Sequence, residues 1–301
     1  MLTYPPLYGT LPIGAVPAYV APAAASMARI AVLSPIDSDA ATIAAGSEVS
    51  SLPAANLQSQ QPKKVWRSSS TADYVTLSCA APVAANMLAV SGHNFSAAGL
   101  FRVRGANSPA DTTAAPSVDT GWQSVWPVTG KPADAYWPRY LSALLWSNDA
   151  LYQCWRIDFA DPSVTLTYLE AGRLALGRYW QPTINFDLGG TPLGRDQRDV
   201  QTVTDYGELF TDRRQRSAAR RMSLQISGAD KREVLDGIQE IQRLAGMAGD
   251  VFVLLDPNAT TDFHRHSMQG VFTAQQDHQI VPQFTDAGEM WTVNFPLREV
   301  I

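Results

Sequence analysis

A run of short segments with near period-two alternation, from about Ala28 to Gly177, constrains this chain more than any other feature. "ARIAVLS", "DYVTLSC", "NMLAVSGHN", "GLFRVRGAN", "YQCWRIDFA" and "AGRLALG" each show it in part. Successive side chains of a strand point to opposite faces, so the spacing belongs to strands with one dry face. In 155–159, Trp155, Ile157 and Phe159 point one way and Arg156 and Asp158 the other. Turn chemistry separates the segments: "SPIDSD", "AAP", "FSAAG", "NSPAD" and "ADPS". With no amphipathic helix between them, many short strands imply a β-sandwich or barrel. The stretch 107–150 reads as one long loop rich in Pro, Trp, Asp and Ser.

After Gly177 the pattern changes. "RRMSLQISG" is a strand, and "DKREVLDGIQEIQRLAG" is a helix. Asp230 can cap it, and Glu233 completes a capping box. Val234, Ile238, Ile241 and Ala245, with Leu235 beside them, make one apolar stripe, and Gly246 or Gly249 can end the helix. "DVFVLLD", "HSMQGVFT" and "MWTVNFPLREV" follow as strands. The expected fold is therefore mainly β: an N-terminal β-sandwich jelly roll over 28–178, then an α+β unit over 179–301 with one helix on a mostly antiparallel sheet. Charge divides at the same place. Residues 1–178 hold 11 basic and 11 acidic side chains, and residues 179–301 hold 12 and 17.

Residues 1–27 are apolar, but prolines break every run, and the stretch lacks the basic n-region of a leader peptide. They are too interrupted to span a bilayer. An extended arm is expected, and Tyr4, Tyr8 and Tyr19 are costly on a free tail, so it is expected to dock on a neighbour. The net charge of −5 gives no reason to expect a nucleic-acid partner. Cys79 and Cys154 fit buried free thiols or a single bridge; two cysteines lack any zinc spacing.

Chemistry is sparse. No nucleophile elbow, phosphate loop, dinucleotide fingerprint or zinc-protease motif occurs. His264 and His266, two apart, would share a face on a strand, but an exposed loop is the expectation, so no metal is called. "DLGGTPLGRD" (187–196) reads as a loop tip. Asp158, Asp161 and Glu170 offer carboxylates, yet nothing singles out a catalytic pair. No enzyme and no cofactor are expected. Arg213, Arg214, Arg216, Arg220 and Arg221 suit a subunit interface, where arginine is enriched. Loop-borne Trp122, Trp126 and Trp137 suit ligand binding or an interface, and Trp66 and Trp155 suit the core.

Three stretches together resemble the discoidin-like (galactose-binding-like) jelly roll: "AANLQSQQPKKVWRSSS", "DYVTLSCAAPVAANMLAVSGHNFSAAGLFRVRGANS" and "YQCWRIDFADPSVTLTYLEAGRLALG". The resemblance rests on Asn56, Leu57, Trp66, the 87–94 run, 155–159 and 172–177. It implies that a sugar would meet loops at one end of the sandwich, such as 91–99, with His93 and Asn94, or 107–150. The second half, through "RRMSLQISG", the helix, "GDVFVLLDPN" and "FPLREVI", resembles tail-tip or baseplate proteins of long-tailed phages, of the distal-tail or hub type. That resemblance implies a structural ring component of the virion tail tip, assembled in the bacterial cytoplasm. Its partners would be copies of itself and tail tube, hub and tape-measure proteins, with no membrane insertion. The alternative is a carbohydrate-binding module for a host-surface saccharide. Two cysteines cannot hold the iron–sulfur cluster of one branch of tail-tip proteins.

Overall fold

The computed structural model describes residues 29–132, 140–148, 150–187, 192–196, 200–203, 205–212, 219–260, 262–274, 279–281 and 290–300. They build three stacked antiparallel sheets with a helix on the far side. The outer sheet runs Thr42–Ala45, Ala72–Ala84, Leu151–Ala160, Leu100–Ala106, Val118–Asp119, with Gln123–Ser124 also on Leu100–Ala106. The inner sheet is Arg173–Gly177, Met87–Ser91, Leu141–Leu145. A two-stranded ribbon, Trp66–Arg67 with Glu170–Ala171, closes one end of this jelly-roll sandwich.

The alternation predicted for 155–159 holds. Trp155, Ile157 and Phe159 are buried with Val75, Leu77, Phe101 and Val103, and meet Leu88, Val90, Leu174 and Leu176 of the inner sheet. Each such side chain contributes about 1.5–3 kcal/mol by leaving water. The inner sheet is covered on both faces. Its alternate residues Met87, Ala89 and Ala175 pack against Phe252, Leu254, Ala31 and Leu33 of a third sheet. That sheet runs Ala31–Leu33, Asp250–Leu254, Ser267–Phe272, Met290–Glu299, Ala219–Asp230, Leu193–Asp196, with Gln279–Val281 beside Met290–Glu299.

Three expectations are corrected. Ala31–Leu33, expected in the sandwich, is an edge strand of the third sheet, in register with Asp250–Leu254. Ile30 and Val32 face the helix side, and Ala31 and Leu33 face the sandwich. A strand apolar on both sides fits only a sheet covered on both sides. The stretch 107–150 is not one loop: it contains a short helix, Asp111–Ala114, and three strands, including the inner-sheet strand Leu141–Leu145. Likewise Leu193–Asp196, expected in a loop tip, is an edge strand on Ala219–Asp230.

The helix forms where its capping signals lie. The Asp230 side chain accepts from Arg232 N–H at 2.8 Å, and Gly246, with φ 56°, stands at the end. Lys231–Glu233 and Gln239–Ala245 are α-helical, with a π-helical turn over Val234–Ile238. Val234 and Ile238 are buried, with Ile241 and Ala245 packed beside them, as the stripe requires. Glu233 accepts from Thr183 N–H at 3.2 and 3.3 Å, tying the segment that leaves the sandwich to the helix start.

Candidate functional site

The turn after Met87–Ser91 begins at Gly92, whose φ of 68° favours glycine. It carries His93 inward rather than toward a ligand. Nε2 of His93 lies 2.9 Å from Ser142 Oγ, and its ring centroid is 4.9 Å from Phe95 and 5.2 Å from Trp126. Lys131 Nζ donates to Phe95 O at 3.0 Å and lies over the Trp126 and Tyr140 rings. Burial, helped by the Lys131 charge, lowers the His93 pKa to about 3. Unfolded, the imidazole titrates near 6.5. Between those values the unfolded chain holds the extra proton, so His93 makes the fold lose up to about 1.4 kcal/mol per pH unit on acidification below 6.5. The His93→Gln variant is expected to flatten that acid limb in denaturation profiles between pH 7 and 4. An unchanged slope would contradict this.

Asn94 and Trp126 are also used internally. Asn94 Nδ2 donates to Tyr168 O at 3.2 Å, and its Oδ1 accepts from Glu170 N–H at 2.8 Å. Trp126 is 5% exposed, and its Nε1 donates to Ser96 O. Three of the residues expected to meet ligand thus form a packed corner, because aromatic and amide groups at the sandwich rim found partners within the chain. The carboxylates are engaged likewise. Asp161 accepts from Ser96 N–H and Oγ at 2.5 Å, Glu170 pairs with Arg67, and Asp158 bridges Arg104 and Arg156 at 2.8 Å.

Trp122 differs: it is 46% exposed. It sits on the turn between Val118–Asp119 and Gln123–Ser124, both anchored on Leu100–Ala106. The turn is tightly held. Gly121 has φ 65°, its N–H donates to Asp119 Oδ1 at 2.9 Å, and Gln123 Nε2 donates to Thr120 O at 3.0 Å. Thr120 Oγ1 accepts from Val103 N–H at 2.9 Å. Arg102 Nε donates to Asp119 Oδ1 at 2.7 Å, and a second guanidinium nitrogen binds Oδ2. That pairing holds the Asp119 carboxyl below its ordinary range. Both side chains remain about a third exposed, at 27% and 30%. An indole on a fixed turn next to a bidentate ion pair can stack one face of a ligand and hydrogen-bond its edge. Arg102 and Asp119 escaped the sequence reading; the "FRVRG" alternation marks Arg102 as facing away from Val103, but its partner lies 17 residues on.

Trp137, Tyr4, Tyr8, Tyr19, Arg213, Arg214 and Arg216 lie outside the described residues. Arg220, expected at a subunit interface, pairs with Glu299 at 2.6 Å and donates to His264 O at 2.8 Å within its own chain. Arg221 borders a groove on the third sheet. His264 lies in the 3₁₀ turn Phe263–Arg265 and His266 just after it, not on a strand. Among the described residues no cluster of three metal-ligating side chains occurs, and both cysteines are free.

No family model and no curated protein matches the chain. Among solved structures it is similar to the family 32 carbohydrate-binding module of Clostridium perfringens NanJ, solved with galactose, at 11% identity. That match covers 49% of this chain and 98% of the module, with a TM-score of 0.35. It is also similar to chitosan-binding module 1 of a Paenibacillus sp. IK-5 chitosanase/glucanase (12% identity, 46% and 96% covered, TM-score 0.32). A third similar structure is the striped bass (Morone saxatilis) serum fucolectin, at 8% identity, with 66% of this chain and 74% of that one covered and a TM-score of 0.36.

Proposed function

We propose that the sandwich is a non-catalytic saccharide-recognition module, with Trp122 as stacking platform and Arg102, Asp119 and Gln123 as polar partners. The observation that carries this reading is the exposure of a large indole on a turn that the backbone and the Arg102–Asp119 pair hold fixed. A pyranose offers a C–H face for the indole and neighbouring hydroxyls for a guanidinium and carboxylate. Because Trp122 contributes little to the core, Trp122→Ala is expected to leave the melting temperature unchanged. On a glycan array the full chain binds, and the variant loses about tenfold in affinity, the weight of one aromatic anchor. Binding that survives the substitution counts against the site.

A second reading, a structural component of a long-tailed phage tail tip, is favoured by a different observation. The ribbon Val200–Val203 with Leu209–Asp212 exposes Val203, Tyr206, Leu209 and Phe210 at 59–95%. Apolar surface of that kind marks a contact with another chain. This reading expects a silent array together with a monomer in solution that forms a ring in images of the assembled particle.

A further inference from the structure

The polar side of the Trp122 turn carries both signs of charge in equal measure. Arg102 Nε donates to Asp119 Oδ1 at 2.7 Å, and Nη2 pairs with Oδ2. Gly121 N–H gives Oδ1 a second donor at 2.9 Å. Each group keeps the other ionised: the pairing raises the Arg102 pKa and lowers that of Asp119. Arg104, on the same strand as Arg102, is itself paired with Asp158 at 2.8 Å. Arg156 shares Asp158 and stacks 3.5 Å over the Tyr74 ring, on the far side of Leu151–Ala160 from Arg102. Among the described residues, Arg102 Nη1 and Gln123 Oε1 make no hydrogen bond.

Resting on the saccharide-recognition reading above, we propose that the ion pair selects by charge: the site takes an uncharged pyranose with a vicinal diol and rejects uronates and amino sugars. A hydrogen-bonded nitrogen and oxygen stand about 2.9 Å apart. The two oxygens of a gauche vicinal diol have the same spacing, and each hydroxyl both donates and accepts. One hydroxyl accepts from the Arg102 guanidinium while its neighbour donates to Asp119 Oδ2. A carboxylate only accepts, so it must seek Arg102, where the like charge of Asp119 repels it. An ammonium only donates, and at Asp119 it meets the Arg102 charge. Like-charge juxtaposition is the repulsive element by which a site turns away a wrong partner. Both side chains are about two-thirds buried, so solvent weakens this discrimination without cancelling it.

The test titrates the full chain, at pH 7 and low salt, with the galactose, glucose and mannose series, each as methyl pyranoside, uronate and 2-amino sugar. The methyl pyranoside that binds most tightly is expected to bind about tenfold more tightly than its own uronate and its own amino sugar. Asp119→Asn leaves the Arg102 charge uncompensated and is expected to turn the preference toward the uronate. Arg102→Gln leaves the carboxylate uncompensated and is expected to turn it toward the amino sugar. A charged sugar bound as tightly as the neutral one, through contacts that Trp122→Ala abolishes, overturns the charge selection and leaves the recognition site standing. A neutral preference that neither Asp119→Asn nor Arg102→Gln alters also overturns it. No binding across the panel, or binding indifferent to Trp122→Ala, overturns the recognition site itself and the charge selection with it.

Discussion

Arg173→Ala is expected to lower the unfolding free energy by about 3–5 kcal/mol, because it strands a buried carboxylate. Arg173 has 0% exposure and Asp250 1%. Its Nε and Nη2 donate to Asp250 at 2.9 and 2.8 Å, and Nη1 and Nη2 to Asp39 at 2.5 and 2.7 Å. Gln269 Nε2 donates to Asp250 Oδ2 at 2.7 Å, and Gln269 Oε1 accepts from Ser91 Oγ at 2.5 Å. The network runs from the inner sheet of the sandwich to the third sheet, so it fixes the register of the two layers. Burial pushes the guanidinium toward losing its proton, but the two carboxylates outweigh it and raise its pKa. Urea denaturation followed by tryptophan fluorescence measures the loss. The double variant Arg173→Met/Asp250→Leu is expected to recover much of it, since removing both charges leaves nothing unpaired. A single variant within about 1 kcal/mol of wild type would contradict the assignment.

Gly237→Ala is expected to destabilise by about 3 kcal/mol, at the upper end of overpacking. At an open helical position the same change would stabilise by up to about 1 kcal/mol. The sign reverses because a Cβ at 237 would lie 2.1 Å from Trp180 Nε1 and 2.3 Å from its Cδ1. The indole cannot move aside freely. It is 7% exposed, its Nε1 donates to Glu233 O at 3.1 Å, and its ring meets Phe295 edge-on at 6.5 Å. The π turn over Val234–Ile238 and the missing side chain together admit it. In a double-mutant cycle, adding Trp180→Ala should relieve most of the Gly237→Ala clash, giving a coupling energy above about 1 kcal/mol. Additive losses would show that the indole is not the obstacle.

Period and capping made much of this fold legible. The 155–159 alternation, the Val234–Ile238–Ile241–Ala245 stripe and the Asp230 cap depend on neighbours within a few residues. What escaped depends on distance. Ala31–Leu33 is an apolar run on both sides, which the sequence cannot assign to a sheet until the second covering layer is known. The π turn has no local signal beyond Gly237. Arg173 reads as an ordinary strand residue because its partners lie 134 and 77 residues away. The site divides in the same way. Trp122 and Trp126 sit in one Pro- and Ser-rich stretch with similar surroundings in sequence. Only the register of Gln123 against Phe101, and the hydrogen bond from Trp126 to Ser96, separates the exposed indole from the buried one.

Fluorine NMR of the chain labelled with 5-fluorotryptophan tests the recognition site most directly, with Trp122→Phe assigning the resonance. On titration with a saccharide that binds the chain, the account predicts that the Trp122 signal moves with the binding curve while the buried Trp66, Trp126, Trp155 and Trp180 signals stay in place. A Trp122 signal that stays fixed through saturation would contradict it.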